Sequence, residues 1–179
     1  MSKVFFTSDT HFSHNNIIKY ENRPFKDKDD MNKKLIENWN NTISKDDEVY
    51  VLGDFCFGTP DEVYNIAKQL NGKIHIILGN HDKGIKQMNR DKQKEVFEWV
   101  KDYYVLKHNK IKFVLFHYPI QVWDCRHHGV VHLYGHIHSN LGNHSMEYDI
   151  KNSYNVGVDV NNFKPIELNE ILKKIRYAG

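Results

Sequence analysis

Acidic, amide and imidazole side chains recur at five short places in this chain: Asp9-Thr10-His11, Gly53-Asp54, Gly79-Asn80-His81-Asp82, a lone His117 after an apolar run, and Gly135-His136-Ile137-His138. Carboxylate and amide oxygens together with neutral imidazoles are the donors that divalent transition metals take. The set Asp9, His11, Asp54, Asn80, His117, His136 and His138 is large enough to hold two cations with one carboxylate shared between them. Such a pair suits hydrolysis of a phosphate ester, where water is a poor nucleophile, the anionic phosphoryl group repels it and the alkoxide leaves badly. Two cations about 4 Å apart can hold a hydroxide, neutralise the phosphoryl oxygens and align the attack. Alternate residues of an extended segment point the same way, so Asp9 with His11 and His136 with His138 make ligand pairs. Each segment also has an ordinary reading: Asp9 caps a turn, Gly53-Asp54 ends a strand, Asn80 sits in a tight turn, and His117 is a loop residue before Tyr118-Pro119. Only their joint occurrence points to a site.

These segments need a scaffold that brings them to one edge, and hydrophobic periodicity supplies one. Each follows, or nearly follows, a stretch that reads as a β-strand, at residues 3–8, 48–52, 73–78, 110–116 and 130–134. Met31, Leu35, Ile36, Trp39 and Ile43 recur on one face of a helix at 29–43. Thr59-Pro60-Asp61-Glu62 supplies a cap, a first-turn proline and a capping-box acid for the next helix, which Asn71-Gly72 ends. The pattern further predicts a helix at 92–101, a strand at 103–108 turning at Asn109 into 110–116, a strand at 154–160 and a closing helix at 166–175. The early βαβαβ order implies parallel pairing and the later strands imply hairpins, which together make a mixed α/β architecture.

At 179 residues the chain is expected to form one domain, 1–179, around a single core. Its first residues carry no apolar stretch long enough for a signal peptide, and no run approaches the roughly 20 apolar residues of a membrane span. A soluble cytoplasmic protein with no membrane partner is the expectation. Cys56 and Cys125 are read as reduced thiols. Twenty-five basic and 23 acidic residues give a formal charge of +2 and are evenly spread, which argues against a duplex-coating nucleic-acid surface and against an acidic tail. Of the 12 histidines, His75, His108, His132 and His144 have no ligand partner at a telling spacing and are given no catalytic role.

The five motifs in this order resemble the calcineurin-like metallophosphoesterase family, from Ser8 to His138 with a matching tail. The Asp-Thr-His-Phe opening and Arg23-Pro24-Phe25 are similar to a subset of small bacterial and phage members. The resemblance implies a two-sheet mixed β-sandwich flanked by helices (α/β/β/α). It also implies one metal on Asp9, His11 and His138, a second on Asn80, His117 and His136, and Asp54 bridging them. His81 matches the family's non-ligand histidine, which stabilises the transition state and protonates the leaving oxygen. Asp82 would then orient that imidazole and raise its pKa. Gly53, Gly79 and Gly135 suit a backbone that turns sharply close to the ions.

The activity implied is that of a metal-dependent phosphodiesterase acting on a nucleotide-like or other small phosphate diester. Attack would be in line by a metal-bridging hydroxide, with no covalent intermediate because no serine or cysteine is placed as nucleophile. Manganese is the favoured cation, with iron or zinc also suited to mixed oxygen and imidazole ligation. A phosphomonoesterase or protein serine/threonine phosphatase would use the same metal shell. A scaffold of the same fold that binds a protein partner without turnover is the alternative from another class. Around the shell, His14 and Asn15 could reach a bound phosphate, or Asn15 or Asn16 could cap a short helix at 17–18. Arg23 could clamp a phosphate through its planar fork or form an exposed ion pair. Trp123, Arg126, His127 and His128 could form a substrate rim or a solvated loop, and Phe55, Cys56 and Phe57 are expected to pack near the site.

Overall fold

The runs Val-Phe-Phe-Thr, Glu-Val-Tyr-Val-Leu and Lys-Ile-His-Ile-Ile are apolar at nearly every position, as expected of strands buried on both faces of a parallel sheet. In the computed structural model, which describes residues 2–139 and 151–175, they are β1 (Val4–Thr7), β2 (Glu48–Leu52) and β3 (Lys73–Ile77). All pair in parallel, β4 (Trp99–Lys101) adds to β3 in parallel, and β9 (Ile166–Glu167) adds antiparallel to β1, giving the order β4-β3-β2-β1-β9. The intervening helices are α1 (Ile17–Tyr20), α2 (Lys28–Thr42), α3 (Pro60–Ala67), α4 (Lys83–Gln87) and α5 (Arg90–Val96). A second sheet has the order β5 (Tyr103–His108), β6 (Ile111–Phe116), β7 (Val131–Tyr134), β8 (Ser153–Asn155), and α6 (Leu168–Lys174) closes the described chain.

Alternation along the strands splits the core in two. Val49, Val51, Ile74 and Ile76 pack with Met31, Leu35 and Trp39 of α2 and Val63, Ile66 and Ala67 of α3. From the opposite face Val4, Phe6, Tyr50, Leu52 and Ile77 meet Phe113, Leu115, Val131 and Leu133 of the second sheet. The result is the two-sheet mixed sandwich with flanking helices. Among the described residues no helix is long and apolar enough to cross a membrane.

Local signals placed two helices well. Asp27 caps α2 by accepting from the amides of Asp29 and Asp30, and Thr59 and Glu62 form a complete capping box at α3. Four expectations need correction. The helix expected at 92–101 stops at Val96, and Trp99–Lys101 instead become β4 because Trp99 registers with His75 at the sheet edge. The strand expected at 154–160 ends at Asn155, whose Oδ1 accepts from the Gly157 amide at 2.8 Å and turns the chain into a 3-10 turn at Val158–Val160. The helix expected at 166–175 begins two residues later, after Ile166–Glu167 have paired with β1. Finally, β5 and β6 do form a hairpin, turned on Asn109 and Lys110 with φ of 48° and 66°, but β7 and β8 join in parallel. The chain after His117 runs back to the start of β6 before β7 begins, and that return forbids a hairpin. His75 and His132 are buried in the core, and His144 lies outside the described residues.

Candidate metal centre

Parallel strands deliver their following loops to one end of a sheet, and here both sheets do so at the same end. Asp9 and His11 follow β1, Asp54 follows β2, Asn80 follows β3, His117 follows β6, and His136 and His138 follow β7. Five of these residues adopt the left-handed backbone region: Asp9 (φ 55°), His11 (49°), Asp54 (52°), His136 (71°) and His138 (49°). Non-glycine residues hold that conformation only where surrounding structure enforces it, and such strain gathers at functional sites. Cross-loop hydrogen bonds enforce it here, with the Asp9 amide on Gly53 O at 3.0 Å and the His11 amide on Asp54 O at 2.9 Å. Gly79 and Gly135 are needed for close approach: a Cβ on the first would run into Asp54 Oδ1, and one on the second into Ser8 Oγ and Asp9 Oδ2.

Two candidate metal-binding groups result. Asp9, His11 and His138 present donor atoms within 4.8 Å of one another, and so do Asp54, His117 and His136. Asp54 Oδ2 lies 3.5 Å from His11 Nε2 in the first group and 3.5 Å from His117 Nε2 in the second. His117 donates from Nδ1 to Leu52 O at 2.8 Å, which turns its Nε2 toward Asn80 Oδ1 at 3.0 Å and the Asp54 carboxylate; burial works to lower its pKa, but the facing carboxylates of Asp54 and Asp9 raise it. His11 is the orphan of the set: it is buried, and neither ring nitrogen has a hydrogen-bond partner among the described residues. Burial pushes its pKa down to about 2, which keeps the ring neutral, with one nitrogen protonated and the other free to donate its lone pair. Asp54 is held at about 2 although burial works the other way, because His117 and His11 face it. Burial lifts the neighbouring Asp9 above the ordinary carboxylate range. The donor set therefore fits divalent cations of the borderline kind, with oxygen and imidazole mixed at both positions.

The other expected residues divide. His81 stands at the rim, its amide on Asp54 Oδ1 at 2.8 Å and its ring 5.4 Å from that of His11. Asp82 does not orient it. Buried Asp82 accepts from the amides of Asp54 (2.9 Å), Gly79 (2.7 Å) and Phe55 (2.8 Å), so its carboxylate clamps the β2 and β3 loops together. Arg23 is no phosphate clamp either, nor an exposed ion pair. It is 4 % exposed and spends its guanidinium on Asp159, Thr10 O, Asp9 O and the Met31 sulfur. His14 lies beside the centre, its ring 5.5 Å edge-on from His11, and its Nδ1 accepts from the Ile17 amide, the role considered for Asn15 or Asn16. Asn15 turns to the Lys28 amide at the start of α2. Arg126 stacks over Trp123 and, with Val122, His127 and Lys151, lines a cavity of about 580 Å³. That cavity also includes Gly129 and lies near the start of β7, whereas His136 and His138 follow its end, roughly 13 Å away at the usual rise per residue.

One residue escaped the sequence reading altogether. Asp159 accepts from His138 Nδ1 at 2.8 Å and from Arg23 Nε and Nη2, each at 2.8 Å. Burial would raise its pKa, but these two partners outweigh it and keep the carboxylate ionised. A lone acid between valines, Gly157-Val158-Asp159-Val160, was the available signal, since a carboxylate among apolar neighbours needs a partner.

Comparison with known proteins places this geometry. Residues 2–156 match the model of the calcineurin-like phosphoesterase superfamily domain, and the chain belongs to that family. An uncharacterized Methanocaldococcus jannaschii protein, MJ1445, is 39% identical over 181 residues, covering 98% of this chain and 92% of its own. Among solved structures, AQ665 from Aquifex aeolicus, a protein of unknown function, superimposes with a TM-score of 0.76 at 27% identity over 97% of this chain and all (100%) of its own. A novel archaeal phosphodiesterase shares the fold with a TM-score of 0.53 at 19% identity, over 93% of this chain and 98% of its own.

Proposed function

We propose that the chain is a dinuclear metal-dependent phosphodiesterase acting on a nucleotide-like or other small phosphate diester. The observation that carries this reading is the position of Asp54 Oδ2, 3.5 Å from a donor nitrogen of each group. Divalent cations held there would supply Lewis acidity, activating water and neutralising the phosphoryl charge. The protein's own residues do the rest. Asp9, His11 and His138 would hold one cation, Asn80, His117 and His136 the other, and Asp54 both. His81 is the group near the centre left to protonate the departing oxygen, since its ring is half-buried and not committed to a carboxylate. The exposure of Asn80 and His136 supports the diester, because a phosphoryl group bound there keeps room for two ester arms. Manganese is the first cation to try, with iron and zinc next.

The test compares manganese-loaded protein on paired aryl substrates, a phosphomonoester and a phosphodiester with the same leaving group. Faster turnover of the diester, with inversion at phosphorus, is expected. Preference for the monoester would replace the reading with a phosphomonoesterase, and no turnover of either with metal bound would leave a binding scaffold.

A further inference from the structure

Phe57 is an apolar ring left 50 % exposed at the end of a segment whose two preceding residues, Phe55 and Cys56, are buried. Its place is fixed by the backbone: the Phe57 amide donates to Phe12 O at 2.8 Å, and Phe12 bridges to Cys56. The loops that set Asp9, His11 and Asp54 therefore also set this ring. Its ring neighbours are imidazoles, His14 at 4.1 Å with a 38° tilt and His81 at 5.5 Å. The His14 ring is steadied by the Ile17 amide at 3.2 Å, and Tyr20, 68 % exposed, follows at 6.4 Å. An aromatic wall thus runs from the donor group of Asp9, His11 and His138, past His81, to solvent. Tyr118 on the opposite rim is different, since its ring packs 4.7 Å from that of His136 and its hydroxyl is 3.5 Å from Asn80 Oδ1.

We propose that Phe57, backed by His14, is a stacking platform for a planar aromatic ring on the leaving-group side of the substrate, so that the site selects nucleotide or aryl esters over aliphatic ones. This rests on the phosphoesterase reading above. An ester oxygen within reach of His81 must carry its substituent outward along the rim, and the exposed ring there is Phe57. Stacking on an aromatic side chain is tolerant of which base is present, so the platform sets a class of substrate and not a single nucleotide.

The experiment uses manganese-loaded wild type, Phe57→Ala and Phe57→Tyr. Binding of a nucleoside monophosphate and of glycerol 3-phosphate is measured by calorimetry, and kcat and KM on a dinucleotide and on glycerophosphocholine. Phe57→Ala is expected to weaken the nucleotide and raise the dinucleotide KM by roughly tenfold, with both aliphatic ligands within about twofold and Phe57→Tyr close to wild type. Equal losses on both classes, or none on the nucleotide, would overturn the platform while hydrolysis itself survived. If no ester were cleaved but nucleotide binding still depended on Phe57, the platform would stand and the hydrolase reading would fall.

Discussion

His138 donates from Nδ1 to Asp159 Oδ2 at 2.8 Å, and the same carboxylate takes Nε and Nη2 of Arg23. Arg23 reaches on to Asp9 O at 2.7 Å and Thr10 O at 2.9 Å, so one buried ion pair ties the β1 loop to the turn after β8 beneath the first donor group. The hydrogen bond fixes the tautomer of His138 and frees Nε2 for a cation. Asp159→Asn is expected to lower divalent-metal affinity by about 10- to 100-fold with the fold retained, as read by chelator competition and circular dichroism. Unchanged affinity would remove the positioning role.

Asp54 and His81 sit 2.8 Å apart through the His81 amide, yet they should fail in different ways. Asp54→Asn takes away the shared carboxylate and should lose metal and activity together. His81→Ala should keep its metal, with kcat down by about 100-fold or more. Metal content by elemental analysis beside steady-state kinetics separates the two, and wild-type rates in the His81 variant would end its role as acid.

Asp82 was expected to serve chemistry and instead serves architecture. Its removal in Asp82→Ala leaves the amides of Asp54, Phe55 and Gly79 without their acceptor in a buried loop, a loss of roughly 2–5 kcal/mol. Chemical denaturation should show this as a lower midpoint at unchanged slope. A variant as stable as wild type would contradict the clamp.

The residues of the two candidate metal-binding groups were legible because each sits in a short run at the end of a strand, and strand ends are set by local apolar patterning. The α3 start was legible for the same reason, since Thr59, Pro60 and Glu62 make their cap within four residues. The residues that misled act over distance. Arg23 meets Asp159 across 136 positions, so nothing near Arg23 distinguishes a buried guanidinium from a surface one. Trp99, Val100 and Lys101 become a strand only because β3 offers an edge, and a helical period running in from α5 masks it. Asp82 next to His81 invited a pairing by sequence adjacency, but the turn into α4 points its carboxylate back at the loops it clamps.

Cys56 is buried two residues after Asp54, bridged to Phe12. Burial pushes its thiol up to about 12, so below that pH it stays protonated and a poor nucleophile. Alkylation of the native protein at about pH 8 should leave Cys56 unmodified, while denatured protein reacts fully, as mass spectrometry would show. Rapid native labelling would mean the site loop opens.

Anomalous diffraction from manganese-soaked crystals tests directly whether two cations share Asp54. Two peaks about 4 Å apart are expected, one among Asp9, His11 and His138 and one among Asn80, His117 and His136, with Asp54 Oδ2 between them. A single peak, peaks elsewhere, or none under excess manganese would contradict the account.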